Sequence, residues 1–187
     1  MCFFAMSACR VPMPIKKEEK ITSLGLNTAI LVKKVNQRMQ LLRAVWGFGS
    51  SIQEMVHLWK LFCLSVLEQS CVVWGSSLTQ ENKDDLERTQ KSFAKLVLGH
   101  KYKDYESALT QLDLQTLVIR RQKLMLKFAK NGIETGKLKE FFQHRKTTSN
   151  IELRNPDKFE TVRFHTERLR NSSIPFMQMQ LNQEGKN

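Results

Sequence analysis

Cysteine is scarce in this 187-residue sequence, and its spacing excludes two common structural roles. The four cysteines include no C-x-x-C motif and the four histidines are scattered, so we expect no zinc site, no other metal site and no cofactor. Cys63 and Cys71 lie in one expected helix, where a rise of about 1.5 Å per residue places their Cα atoms roughly 12 Å apart, too far for a disulfide. Free thiols indicate a reducing, intracellular compartment.

Long apolar runs are also missing. No window reaches the roughly 20 uncharged apolar residues that span a bilayer, and the nearest one, residues 55–73, contains Lys60 and Glu68. The opening MCFFAMSACR lacks the basic region of a signal peptide. We therefore expect no membrane partner, and an N-terminus that is either irregular or the cut edge of something longer.

Catalytic motifs are absent as well. The sequence contains no G-x-S-x-G, P-loop, H-E-x-x-H or G-x-G-x-x-G pattern. A polymerase needs paired carboxylates that hold two metal ions about 4 Å apart. The adjacent pair Asp84-Asp85 stands near an expected helix start, where capping and the helix dipole explain it. The prediction is a protein that is not an enzyme.

Basic residues are abundant. The formal net charge is +12, from 30 basic and 18 acidic residues, and it is spread along the chain. Such an excess favours an acidic partner, most often nucleic acid and less often an anionic membrane surface.

Apolar spacing and capping residues predict an all-α fold. After an irregular segment 1–23, three helices with short loops predict an antiparallel bundle over 24–99. Ser51 and Glu54 form a capping-box pattern at the start of the second helix, which is apolar on nearly every side. The three helices are expected to run from Asn27 to about Trp46, from Ser51 to about Val73, and from Thr79 to Gly99.

A second helical unit is expected over 100–143. Asp104 and Thr116 are its capping residues, Gly132 closes its main helix, and a short helix follows at 138–142. The helical pattern fades beyond it, and the proline-containing stretches NPDKF and SSIPF are typical of turns. We therefore expect an irregular, basic C-terminal arm over 144–187.

The helix after Thr116 carries a basic stripe beside its apolar face. Arg120, Lys123, Lys127 and Lys130 share one side of a helical wheel. The stripe is either an ordinary solvated face or a surface for nucleic-acid phosphates. Arg121 instead falls within the apolar arc, so either its stem snorkels or its guanidinium meets a buried acceptor such as Asp113 or a helix C-terminus.

The junction HKYKDY separates the two helical units. Lys101 and Lys103 flank Tyr102, and Tyr105 follows. The lysines could neutralise phosphates while a tyrosine packs against a sugar or base. Alternatively, both tyrosines cover the bundle with their hydroxyl groups in water.

An ordered series of short motifs runs through the chain: LLRAVWGFG, SVLEQSCVVWGSSLT, LERTQKSFAKLVLGHKYKDYESALTQLDLQTLVIRRQKLMLKFAK and TERLRNSSIPFMQMQLN. The series resembles the C-terminal region of non-LTR (LINE-like) retrotransposon reverse transcriptases over roughly residues 24–182. The matching positions include Trp74, Gln90, Gly99, Tyr102, Asp104, Tyr105, Leu109, Arg120, Arg121, Ile174, Pro175 and Asn182.

The resemblance implies a thumb-like helical bundle that contacts template–primer nucleic acid, RNA or an RNA–DNA hybrid, without sequence preference. The chain lacks the YADD-type motif of the family's palm, and a position near Gln69 that is often tyrosine in the family also departs, so no polymerase activity is expected. The residues expected to bind nucleic acid are Lys101, Tyr102, Lys103, Arg120, Lys123, Lys127 and Lys130. The alternative is a helical protein-interaction module that docks on a polymerase core in another chain or self-associates through the apolar helix 51–73.

Overall fold

The computed structural model describes residues 23–144, 159–161 and 163–184, and this part of the chain is all-α without a β-strand. The expected irregular segment before Ser23 and the NPDKF turn up to residue 158 lie outside the described residues. We number the described helices α1 (Ser23–Gly47), α2 (Ile52–Leu67), α3 (Cys71–Trp74), α4 (Gln80–Leu98), α5 (Tyr105–Gln111), α6 (Leu117–Glu134), α7 (Glu167–Arg170) and α8 (Ser173–Glu184).

The main core lies where α1, α2 and α4 meet. Val35 and Met39 of α1 are buried there, and the ring of Trp59 in α2 stacks on Phe93 of α4 with centroids 4.5 Å apart. The apolar stripes used to predict these helices are therefore the faces that pack together. The first helix was predicted to begin at Asn27, which is wrong, because α1 already begins at Ser23.

Short-range capping predictions are confirmed. The Ser51 hydroxyl accepts a hydrogen bond from the Glu54 amide, and the Glu54 carboxylate accepts one from the Ser51 amide at 2.8 Å. Three further side chains accept bonds from the amides three residues on, those of Thr79, Asp104 and Thr116. Each satisfies a backbone donor that the first helical turn leaves unpaired.

The predicted continuous helix from Ser51 to Val73 is wrong. A π-helical turn, Trp59–Leu64, interrupts α2, and the helix ends at Leu67. Ser70 then takes a left-handed conformation with φ of 55°, which turns the chain into α3. A π-turn adds a residue to the helical turn and so rotates the face that follows. It allows Trp59 and Leu67 to be buried while Leu61 and Phe62 remain exposed.

The prediction of an irregular C-terminal arm is wrong for its described part, because α7 and α8 are helices. The SSIPF stretch does not form a turn but leads into α8, where Pro175 is the third helical residue. Proline is tolerated in a first turn because amides there have no partner within the helix. Thr166 caps α7 through the Leu169 amide.

A small second core joins this C-terminal part to α6. Met125 and Ala129 of α6 are buried with Phe142 and with Met177 of α8. The short helix expected at 138–142 is replaced by hydrogen-bonded turns. Gly132 does not close α6, which continues to Glu134; a Cβ atom at this position would lie 2.3 Å from Leu138 Cδ1, so the glycine permits close packing.

In the part of the chain that the structure describes, no single helix has both the length and the apolar character needed to cross a membrane. The pair Ile52–Leu67 and Cys71–Ser77, bent by 52°, meets the length and composition criteria together.

Candidate nucleic-acid interface

The junction between the helical units is fixed by a buried carboxylate. The hydroxyl group of Tyr105 donates to Glu87 Oε2 at 2.5 Å, and the Val118 amide donates to Glu87 Oε1 at 3.1 Å. Glu87 therefore links α4 to the starts of both α5 and α6. Burial, together with the hydrogen bond to Glu87, raises the pKa of Tyr105 well above its usual range. Tyr105 therefore supports the prediction that the tyrosines cover the helices beneath them, but its hydroxyl group is bonded to Glu87 instead of lying in water.

Lysines of α4 lie over the two tyrosines. Lys91 Nζ is 5.0 Å from the centre of the Tyr105 ring, and Lys95 Nζ is 5.5 Å from the centre of the Tyr102 ring. Tyr102 is half-buried against the main core. Such cation–π contacts hold ammonium groups near aromatic faces while leaving them exposed to solvent.

Lys101 and Lys103 complete this cluster from the junction itself. Both side chains are exposed, and neither forms an ion pair or side-chain hydrogen bond with another described residue. We call the cluster the junction surface and define it as Lys91, Lys95, Lys101, Tyr102 and Lys103. Asp104 stands beside it, but its carboxylate accepts from the hydroxyl and amide of Ser107, which lower its pKa. The junction surface therefore presents four cations beside one partly exposed aromatic ring.

The basic stripe of α6 has a different environment. Arg120, the first residue of the stripe, pairs through its guanidinium with Glu68 at the end of α2. Lys123 Nζ donates to Gln115 Oε1 at 3.0 Å, and Lys130 Nζ pairs with Glu184 of α8 at 2.7 Å. Only Lys127 among the stripe residues has no such partner within the described residues.

A shallow groove of about 470 Å³ runs beside this stripe. Lys123, Lys127 and Lys130 line it together with the carboxylates of Glu134 and Glu184. The two acidic groups offset most of the lysine charge, so the groove is a weaker site for phosphate than the stripe alone predicted.

Arg121 is buried, as its position in the apolar arc predicted, with 4% of its surface exposed. Asp113, one of the two suggested acceptors, is wrong, because it is exposed and its Oδ2 atom lies 3.8 Å from Lys60 Nζ instead. Burial lowers the pKa of the Arg121 guanidinium, and the neighbouring Glu87 carboxylate opposes that shift. Its Nη1 and Nη2 atoms find no hydrogen-bond acceptor in the described parts of the chain.

Sequence reasoning missed Glu87, Lys91 and Lys95 as parts of the site. Lys91 and Lys95 lie four residues apart, and Glu87 precedes Lys91 by four, so all three share one side of α4. This four-residue spacing on the helix that precedes the junction is a sequence signal that could have identified the three residues.

The aspartate pair has local partners. Asp84 accepts from Gln80 Nε2 at 2.9 Å, and Asp85 pairs with Arg88 at 2.7 Å. Among the described residues, no group of three or more metal-ligating side chains is placed to hold a metal ion. Comparison with known proteins finds no matching family model, curated protein or solved structure.

Proposed function

We propose that this chain binds the phosphate backbone of nucleic acid, RNA or an RNA–DNA hybrid, without sequence preference and without catalysis. The observation that carries the proposal is the junction surface, where four exposed lysines accompany the half-buried ring of Tyr102 and one of them, Lys95, lies over that ring. Lysines supply sequence-independent attraction to phosphates, and a partly exposed tyrosine offers a face to a sugar or base. The resemblance to the thumb region of a LINE-like reverse transcriptase supports the same role.

A binding titration tests this proposal. Two fluorescently labelled RNA–DNA hybrids of equal length and unrelated sequence are titrated with the protein at low salt. We expect both hybrids to bind with affinities within about threefold of each other, since phosphate contacts carry no sequence information. The variant Lys137→Ala combined with Lys139→Ala removes two exposed lysines outside the junction surface, and it serves as the control for a general loss of positive charge. Absence of binding at low salt would reject the proposal.

Catalysis is tested separately by primer extension with Mg²⁺ or Mn²⁺. We expect no extension, because Asp84 and Asp85 have local partners on α4 and the sequence contains no palm-type carboxylate motif. Template-dependent extension that is lost in Asp84→Asn combined with Asp85→Asn would show that this pair holds catalytic metal.

A second candidate function is protein interaction through α2. The π-turn leaves Leu61 and Phe62 about half exposed, and Arg38 of α1 donates to the Phe62 carbonyl beside them. Exposed apolar side chains that adjoin one another favour association. We expect sedimentation to show self-association that weakens in Leu61→Gln combined with Phe62→Gln. A parent protein that stays monomeric at high concentration would count against self-association.

A further inference from the structure

A small cavity lies where four elements of the fold meet. It measures about 60 Å³ and lies between the turn after α3, α4, α6 and α8. The residues in its wall that matter here are Ser76, Lys83, Arg121 and Phe176. These residues are distinct from the junction surface, so the cavity is a separate site.

Polar groups in the cavity wall lack partners. The Ser76 hydroxyl is buried without a hydrogen bond to any described residue, as are both terminal nitrogens of Arg121. Lys83 is half-buried and forms no ion pair within the described ranges. Buried donors without acceptors are destabilising, and native structures rarely leave several of them side by side.

The carboxylates nearest to Arg121 already have other partners. Both oxygens of Glu87 accept hydrogen bonds, from Tyr105 and from the Val118 amide, and Glu68 pairs with Arg120. Among the described residues, the cavity wall contains two cations, Lys83 and Arg121, and no carboxylate. The wall therefore has an excess of positive charge, which favours a small anion.

The donors in the wall define the chemistry of that anion. A guanidinium presents a planar pair of N–H groups that matches two oxygens of a carboxylate or phosphate, and the Ser76 hydroxyl and Lys83 ammonium add donors. A single water needs about 10–15 Å³ of such space, so this cavity exceeds one water but is too small for a nucleotide.

We propose that the cavity is a binding site for a small inorganic oxyanion of the phosphate type. The ion accepts from Arg121, Ser76 and Lys83, and it reinforces the attachment of α8 to the rest of the fold. Two direct hydrogen bonds already make that attachment: Ser77 Oγ donates to the Asn171 carbonyl at 2.9 Å, and Ser173 Oγ donates to the Val73 carbonyl at 2.6 Å.

The probe is inorganic phosphate, compared with chloride at equal ionic strength. Calorimetric titration of the full chain should show one saturable site for phosphate. At ten times the dissociation constant, phosphate should raise the melting temperature by roughly 3–6 °C more than chloride does. The comparison with chloride corrects for ionic strength, and saturation separates binding from the general stabilisation that excluded salts produce.

Variants assign the site. Lys83→Met and Ser76→Ala keep the apolar parts of their side chains, and each should weaken phosphate binding at least tenfold. The control is Lys139→Met, which removes the same charge from an exposed position outside both the cavity and the junction surface and should leave the phosphate affinity unchanged. Non-saturable binding, or equal affinity in Lys83→Met, Ser76→Ala and Lys139→Met, would show that the cavity holds only water. That outcome would overturn the proposal whether or not an Arg121 variant folds.

Discussion

The junction surface and the basic stripe of α6 contain the same kinds of residue but offer different amounts of available charge. At the junction surface, Lys101 and Lys103 are exposed without partners in the described residues, and Lys91 and Lys95 each lie over an aromatic ring. In the stripe, Arg120 pairs with Glu68, and Lys130 pairs with Glu184. Two of the stripe cations thus join α6 to α2 and α8, whereas the junction cations remain exposed to solvent. Counting cations along a helix overestimates the charge that a ligand encounters.

The largest expected effect comes from removing the junction cations. Lys95→Ala, Lys101→Ala and Lys103→Ala together should weaken hybrid binding on the order of 100-fold at about 0.1 M salt, because each lost phosphate contact also forgoes counterion release. Fluorescence anisotropy measures the affinity. The matched triple variant Lys123→Ala, Lys127→Ala and Lys130→Ala should weaken binding by less than about fivefold. The opposite ranking of the two variants would reverse the comparison between the surfaces.

The next largest effect is expected from Glu87, which holds the junction in place. Glu87→Gln removes a buried charge beside Arg121 and weakens the acceptor for Tyr105, so it should lower the free energy of unfolding by about 1–3 kcal/mol. Urea denaturation measures this change. The exposed Glu106 on α5 is the control, and Glu106→Gln should change stability by less than about 0.5 kcal/mol. Equal stability of the two variants would show that Glu87 does not organise the junction.

These long-range ties are the part of the fold that the sequence alone could not predict. Capping by Ser51, Thr79, Asp104 and Thr116 was predictable, because each cap bonds an amide only three residues away. The Arg120–Glu68 pair joins residues 52 positions apart, and nothing in either local pattern selects that partner. Position within the apolar arc did identify Arg121 as a buried residue.

Local rules also failed where tertiary packing determined the outcome. Pro175 indicated a turn, but α8 forms because Met177 packs on α6 and proline fits in a first helical turn. Residues 51–73, which are apolar on nearly every side of a helix, favoured one continuous helix, because periodicity cannot place a π-turn in a segment without a clear polar face.

Arg121 belongs to neither surface, and its replacement should affect folding. Arg121→Ala removes a buried stem and leaves Glu87 without its neighbouring cation, so it should lower the free energy of unfolding by about 1–3 kcal/mol. Thermal and urea denaturation measure the loss. A variant as stable as the parent would mean that the buried guanidinium contributes no net stability.

Arg120 should have the smallest effect. Because its side chain remains 39% exposed, solvent partly screens its pair with Glu68. Arg120→Ala should therefore lower the free energy of unfolding by about 0.5–1 kcal/mol. Hybrid affinity, measured by anisotropy under conditions where both proteins are folded, should stay within about twofold of the parent. A large loss of affinity with unchanged stability would return Arg120 to the phosphate-binding surface.

The salt dependence of hybrid binding shows whether the junction surface or the basic stripe of α6 contacts the phosphates. The logarithm of the association constant is plotted against the logarithm of salt concentration for the parent and for the junction triple variant. We expect the slope to become shallower by up to about 2.7 in that variant, since each phosphate contact contributes about 0.9 for B-form DNA. Equal slopes for the parent and the junction variant would contradict the account, and a shallower slope only in the α6 triple variant would place the interface on the basic stripe.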